Sequence, residues 1–209
     1  MEWHRRGGKA SVILVTYFDP FGEDPVNVSR EVATRLHPRE YVLTRELATS
    51  KQDVERQLPA LIRQVHPQAI LSLGQAQGRL VPTLERVGIN LLESRIADNR
   101  GEIYHDHPVV ASGPDAYFST LPLKKLQEAV HAMGYPLELS LSAGTFMCNQ
   151  ALYLSRHTAP DIPAGFLHLP LLPSQAVTQP QVPTMGLHDQ LAVLNALLDA
   201  LWQWAAAPR

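Results

Sequence analysis

Residues 69–79 read AILSLGQAQGR: the apolar run Ala69-Ile70-Leu71-Ser72-Leu73 passes without a break into the glycine-rich turn Gly74-Gln75-Ala76-Gln77-Gly78-Arg79. A short, almost wholly apolar run that ends on glycine reads as a buried strand followed by a loop. Strands buried on both faces belong to sheets covered by helices. The same unit recurs on either side. Residues 11–16 (SVILVT) form a second β-branched run, closed by the turn-rich Phe18-Asp19-Pro20-Phe21-Gly22-Glu23-Asp24-Pro25. Residues 27–36 carry Val28, Val32 and Leu36 at helix spacing, and 41–43 (YVL) read as a strand. Residues 53–65 return to helix spacing, with Pro59 expected to bend or interrupt them.

Downstream, 89–94 is expected to be a strand and Asp98-Asn99-Arg100-Gly101 a turn. Residues 123–133 form an amphipathic helix, and 137–141 (LELSL) alternate at period two into Ser142-Ala143-Gly144-Thr145-Phe146-Met147-Cys148. A helical pattern resumes over 149–155, 165–169 (GFLHL) is one more strand, and 188–204 a closing apolar-periodic helix. Strands and helices alternate through short connections, the pattern of an α/β sheet with helices on both faces. The chain is expected to form a single domain over residues 1–209, with 1–10 a flexible N-terminal extension.

Composition narrows the function classes. The 209 residues are 45% hydrophobic and 18% charged, an ordinary globular balance. Eighteen Lys and Arg face twenty Asp and Glu, for a formal charge of -2, without the basic face that a nucleic-acid or anionic-membrane partner would demand. One cysteine permits no internal disulfide, no apolar stretch approaches the length of a membrane span, and the N-terminal apolar run is shorter than a secretory core. A cytoplasmic location is the expectation.

In open α/β sheets, sites lie beyond the carboxyl ends of strands. The lone Cys148 follows a small, polar turn at the start of a helix, where the helix dipole is expected to lower a thiol's pKa. An inert core thiol is the alternative. His168 stands near the end of its strand, where a base for a thiol belongs; a hydrogen-bonded core histidine is the other reading. Glu85 is either the third member, a carboxylate that orients an imidazole, or a surface carboxylate paired with Arg79 or Arg86. The glycine-rich 74–79 turn lacks both nucleotide-loop spacings, and His105-Asp106-His107 lacks a metal-site context, so neither cofactor nor metal is expected.

Several segments together resemble the pyroglutamyl peptidase I family, also called pyrrolidone carboxyl peptidases, which are cysteine exopeptidases. They are 15–22 (VTYFDPFG), 74–79 with 85–90 (ERVGIN), 95–99 (RIADN), 142–149 (SAGTFMCN) and 165–175 (GFLHLPLLPSQ), in the family's order over nearly the whole chain. The resemblance implies a three-layer α/β/α domain with a mixed, mostly parallel sheet of the phosphorylase/hydrolase-like kind. It also implies removal of an N-terminal pyroglutamyl residue from peptides, and a dimer or tetramer. It assigns Cys148 as nucleophile, His168 as acid/base, Glu85 as orienting carboxylate, and Arg95 as a near-thiol group that helps stabilise the oxyanion. Phe18, Phe21, Thr49, Ile96, Phe146 and Met147 match positions that wall the lactam pocket, with Asn27 and Gln75 beside it. Tyr17, Glu23 and Gln77 replace usual glycines and Ala97 a usual proline, so Tyr17 is expected to add bulk beside the pocket and the lost glycines to remove positive-φ conformations. Two other readings stay open: an amidase or nucleoside-cleaving relative with altered acyl specificity, and a non-catalytic module that binds pyroglutamyl groups.

Overall fold

The apolar run after residue 11 forms β3 (Ile13–Phe18), and the quoted run forms β5 (Ala69–Gln75) beside it, in a computed structural model of the chain. The structure describes residues 12–207 and, before them, the backbone of β1 (Arg5–Arg6) and β2 (Lys9–Ala10), which pair antiparallel. The flexible extension expected over 1–10 otherwise lies outside the described residues.

Six strands make the central sheet in the order β4-β3-β5-β10-β6-β9, where β4 is Val42–Leu47, β6 Thr83–Glu85, β9 Glu138–Ser140 and β10 Ala164–Leu169. β4, β3, β5 and β10 run parallel; β6 is antiparallel to β10, and β9 is parallel to β6. The sheet is therefore mixed and mostly parallel, as expected. A separate pair, β7 (Val87–Ile89) and β8 (Ala116–Phe118), flanks it.

Residues on a strand alternate between two helical layers. Ile13, Val15, Leu71, Leu73, Leu167 and Leu169 pack in one cluster with α1 (Val28–Ala33), α3 (Leu123–Ala132) and α5 (Leu187–Ala206). Leu14, Phe18, Ile70 and Phe166 pack in the other with α2 (Lys51–Val65) and α4 (Met147–Thr158). Each fully buried Leu or Ile contributes roughly 1.5–3 kcal/mol of transfer free energy, so the two clusters drive the layering. Thr16 and Ser72 lie side by side on the second face, and the Thr16 hydroxyl donates to Ser72 Oγ at 2.7 Å.

Some local expectations shift. α2 is not interrupted at Pro59; it runs from its Ser50 cap to His66, whose left-handed backbone donates to Ile62 O. The strand expected over 89–94 is instead β7, ending at Ile89, with a single bridge between Leu92 and His107. β6 and β8 are three residues each, too short for a sequence period to show. Among the described residues no helix is long and apolar enough to cross a membrane.

Candidate active site

Cys148, His168 and Glu85 come together on the α2/α4 side of the sheet, toward the carboxyl ends of β5 and β10. β10 places His168 beside Gly74 of β5 on one side and Thr83 of β6 on the other. Phe166, two residues earlier and on the same face, is the register partner of Glu85. Glu85 and His168 are thereby brought onto one face. His168 Nδ1 donates to Glu85 Oε1 at 2.8 Å, with Glu85 fully buried and His168 5% exposed. The Nδ1–H is held by the carboxylate, so Nε2 is left as the basic nitrogen.

Cys148 arrives from the other direction. The turn before it passes through Gly144 at φ +75, a conformation that favours glycine, and α4 then opens at Met147 with Cys148 as its second residue. The close approach of α4 to β5 requires Gly74: a Cβ there would sit 2.6 Å from Cys148 Sγ and 2.7 Å from Phe166 Cζ. Cys148 is partly buried. Burial, with a smaller contribution from the Glu85 carboxylate, pushes its thiol up to about 12, and only its own backbone N–H opposes this. Burial thus acts against the lowering expected from the helix start.

Cys148 and His168 line one cavity of about 530 Å³. Phe18, Phe21, Asn27, Thr49, Gln75, Phe146 and Met147 line it too, as does the stretch from Ala76 to Arg79 and that from Ser142 to Thr145. Phe21 and Phe146 lie with ring centroids 6.0 Å apart at a tilt of 47°. Among the described residues the lining contains no Asp or Glu. Asn27 acts first as the cap of α1: its Oδ1 accepts from Ser29 N and Ser29 Oγ, and its Nδ2 donates to Asp19 O. Thr49 is likewise held to Asp19 through its N–H and hydroxyl. Gln75 differs. Its Oε1 accepts from Val28 N (3.0 Å) and Gln175 Nε2 (2.9 Å), which orients the amide and leaves its nitrogen as a donor.

Arg95 and Ile96 are not brought to the cavity lining; both are exposed. Their segment is fastened on either side, where Glu93 N donates to Thr145 O and Thr145 Oγ1 donates to Glu93 O, and where Ser94 and Asp98 are buried, so that the two side chains between them face outward. Tyr17 corrects a second expectation. It packs in the α1/α5 cluster, on the opposite face of β3 from Phe18, so its bulk does not reach the pocket. Among the described residues only His66 and Asp106 have positive φ without being glycine, so Tyr17, Glu23 and Gln77 fit their backbone without strain. His105 pairs with Glu93 and His107 with Pro108 O. Among the described residues no group of three or more His, Cys, Asp or Glu is arranged to hold a metal.

The pyroglutamyl peptidase family model matches residues 11–203, which include every residue named above at the cavity. The chain belongs to the pyroglutamyl peptidase family. Pyrrolidone-carboxylate peptidase of Pseudomonas fluorescens is 39% identical over 199 residues, covering 92% of this chain and 93% of the relative. That of Lacticaseibacillus paracasei is 39% identical over 197 residues, covering 90% and 91%. Crystal structures agree: pyrrolidone carboxyl peptidase of Thermus thermophilus superposes with a TM-score of 0.84 at 36% identity, over 90% of this chain and 99% of that one. The Pyrococcus furiosus enzyme gives 0.85 at 30% identity, over 92% and 99%. As a member of the pyroglutamyl peptidase family the chain is a cysteine peptidase, and Cys148 is its only cysteine.

From the sequence, an Arg79–Glu85 pair is expected only as a surface contact. In the structure Glu85 is fully buried, and Arg79 donates to it from within the cavity wall. Ser140 and Ser142, which Arg79 also reaches, carried no sequence signal beyond being small and polar.

Proposed function

We propose that the chain hydrolyses the N-terminal pyroglutamyl residue from peptides through a Cys148–His168–Glu85 triad. The observation that supports this most directly is one cavity holding the cysteine and the Glu85-bound imidazole behind an aromatic wall free of carboxylates. A free N-terminal ammonium would meet no counter-charge there, whereas a flat, neutral lactam finds aromatic faces and the Gln75 amide donor for its carbonyl.

The thiol proton passes to His168 Nε2 as Sγ attacks the pyroglutamyl carbonyl, so the thiolate forms only with an acceptor in place. Glu85 holds the imidazolium through Nδ1–H. Main-chain N–H groups at the start of α4 stabilise the oxyanion, a role given to them rather than to the surface-lying Arg95. His168 then protonates the departing amine, and water, deprotonated by the same nitrogen, hydrolyses the thioester and returns the proton to sulfur. Neither a metal nor a cofactor is called for in these steps.

The test is a pyroglutamyl aminocoumarin amide assay. C148A and H168A should lower kcat/KM by roughly three orders of magnitude or more, with E85Q hurting less than H168A. Substantial turnover by C148A would exclude the covalent route. Prolyl and alanyl amides run in parallel separate a lactam pocket from an amidase with altered acyl preference. A homo-oligomer in the cytoplasm is proposed with it, from family membership; light scattering of the purified chain gives the mass.

A further inference from the structure

Arg79 makes an arrangement that the triad reading alone does not use. We propose that Arg79 is a positioning residue of the catalytic centre, whose guanidinium locks the Glu85 carboxylate to the turn that presents Cys148. The inference rests on the proposed triad and names the group that keeps its three members in register.

The three members sit on three separate elements: Glu85 on β6, Cys148 on α4 and His168 on β10. Arg79 comes from a fourth place, the loop after β5, held there by Gly78 at φ +89. A single nitrogen, Nη2, donates to Glu85 Oε1 at 2.9 Å and to Ser140 Oγ at 2.9 Å, with Ser142 O at 3.5 Å. Ser140 Oγ in turn accepts from Ser142 N, and Ser142 Oγ accepts from Gly144 N, two steps into the turn that leads to Cys148. A continuous chain of hydrogen bonds therefore runs from the imidazole, through the carboxylate and the guanidinium, to the nucleophile's turn. Glu85 Oε1 takes both His168 and Arg79, while Oε2 is buried without a partner among the described residues, so both charge compensation and orientation fall on the one oxygen.

The charge is as important as the geometry. The groups facing Glu85 are the imidazole of His168 from β10, the guanidinium of Arg79 and the thiol of Cys148 from α4. Only Arg79 brings a permanent positive charge. A fully buried carboxylate stripped of that charge loses its permanent compensation, and the acceptor that fixes Nδ1–H is no longer held in place. Arg79 is itself a third exposed, so a lysine fits there and keeps the charge without the planar fork.

The experiment compares wild type, R79M, R79K and S140A in kcat/KM for the pyroglutamyl amide across pH 5–9, with circular dichroism as the fold check. R79M should lose roughly 10- to 100-fold in kcat, with KM little changed, and its acid limb should move to higher pH. R79K should keep the wild-type limb with a smaller loss in kcat, and S140A should do the same. The downfield proton resonance of His168 Nδ1–H, identified by its absence in H168A, should be present in wild type and absent in R79M at neutral pH. A folded R79M with the wild-type limb and resonance, or with its loss confined to KM, overturns the proposal. If R79M does not fold, R79K decides: a reduced kcat supports the proposal and a wild-type kcat overturns it. A wild type inactive on the amide but with an Arg79-dependent resonance would overturn the substrate reading and leave the clamp standing.

Discussion

Gly74 shows how closely one residue constrains this site. Any side chain there meets Cys148 Sγ from one side and the Phe166 ring from the other. G74A should destabilise the fold by about 1–3 kcal/mol through overpacking. It should also displace the thiol enough to cost roughly 100-fold in kcat. Urea melts with the amide assay check both; full activity in G74A would mean that α4 yields freely at this contact. Cys148 itself gives a prediction of opposite sign for two readouts. Because burial and Glu85 raise the thiol to about 12, iodoacetamide should alkylate the unliganded protein slowly at neutral pH and faster only at alkaline pH. E85Q removes the repelling charge, so its alkylation profile should shift to lower pH while its turnover falls. An inflection below pH 8 in wild type would point to a preformed thiolate instead. At this scale the sequence was informative about residue types: a small-residue turn before a lone cysteine and a histidine near a strand end were both legible. Asn27 was not legible as a helix cap, because its partners were visible only once α1 was placed.

Among the elements, α4 carries the nucleophile and is fastened by Asn149, one residue beyond it. Its Nδ2 donates to Ile89 O and Leu91 O, and its Oδ1 accepts from Ile89 N, all with the side chain fully buried. N149A leaves these main-chain groups without partners and should reduce stability by roughly 2–4 kcal/mol, measured by urea denaturation. A loss under 0.5 kcal/mol would show that water replaces the amide. Helices and long strands were readable from periodicity, and their edges moved by a few residues. The short β6 was not readable, although it carries Glu85, because three residues after Pro82 offer no period. Tyr17 lies on the face of β3 opposite Phe18, as the alternation of side chains along a strand dictates, so its bulk faces α1 and α5 rather than the cavity.

The whole molecule should have a stability plateau bounded by two sets of groups. Asp53, held by Arg100, Arg56 and Ser50, lies well below its ordinary 3.8, so the stability it contributes is present above that value and is lost as pH falls. The Cys148 thiol, raised from 9.0, and Tyr104, raised by burial and Asp98, stay protonated in the native state after the unfolded chain has lost its protons. Stability therefore falls as pH rises above about 9. Urea midpoints at pH 3, 7 and 10.5 should be highest at 7; a midpoint that rises at 10.5 would contradict the alkaline half.

The sequence by itself determined the layered α/β architecture and the residue types able to carry out acyl transfer, since hydrophobic period and turn chemistry are local properties of the chain. Only the tertiary structure decided which of those residues meet. Glu85 and His168 are 83 positions apart and touch because an antiparallel register sets β6 against β10. Arg79 and Ser140, 61 apart, join them through a loop and a strand end that are distant along the chain. Register and packing are properties of the folded whole, and the Arg79–Glu85 contact, the exposed Arg95 and the raised Cys148 thiol all follow from them.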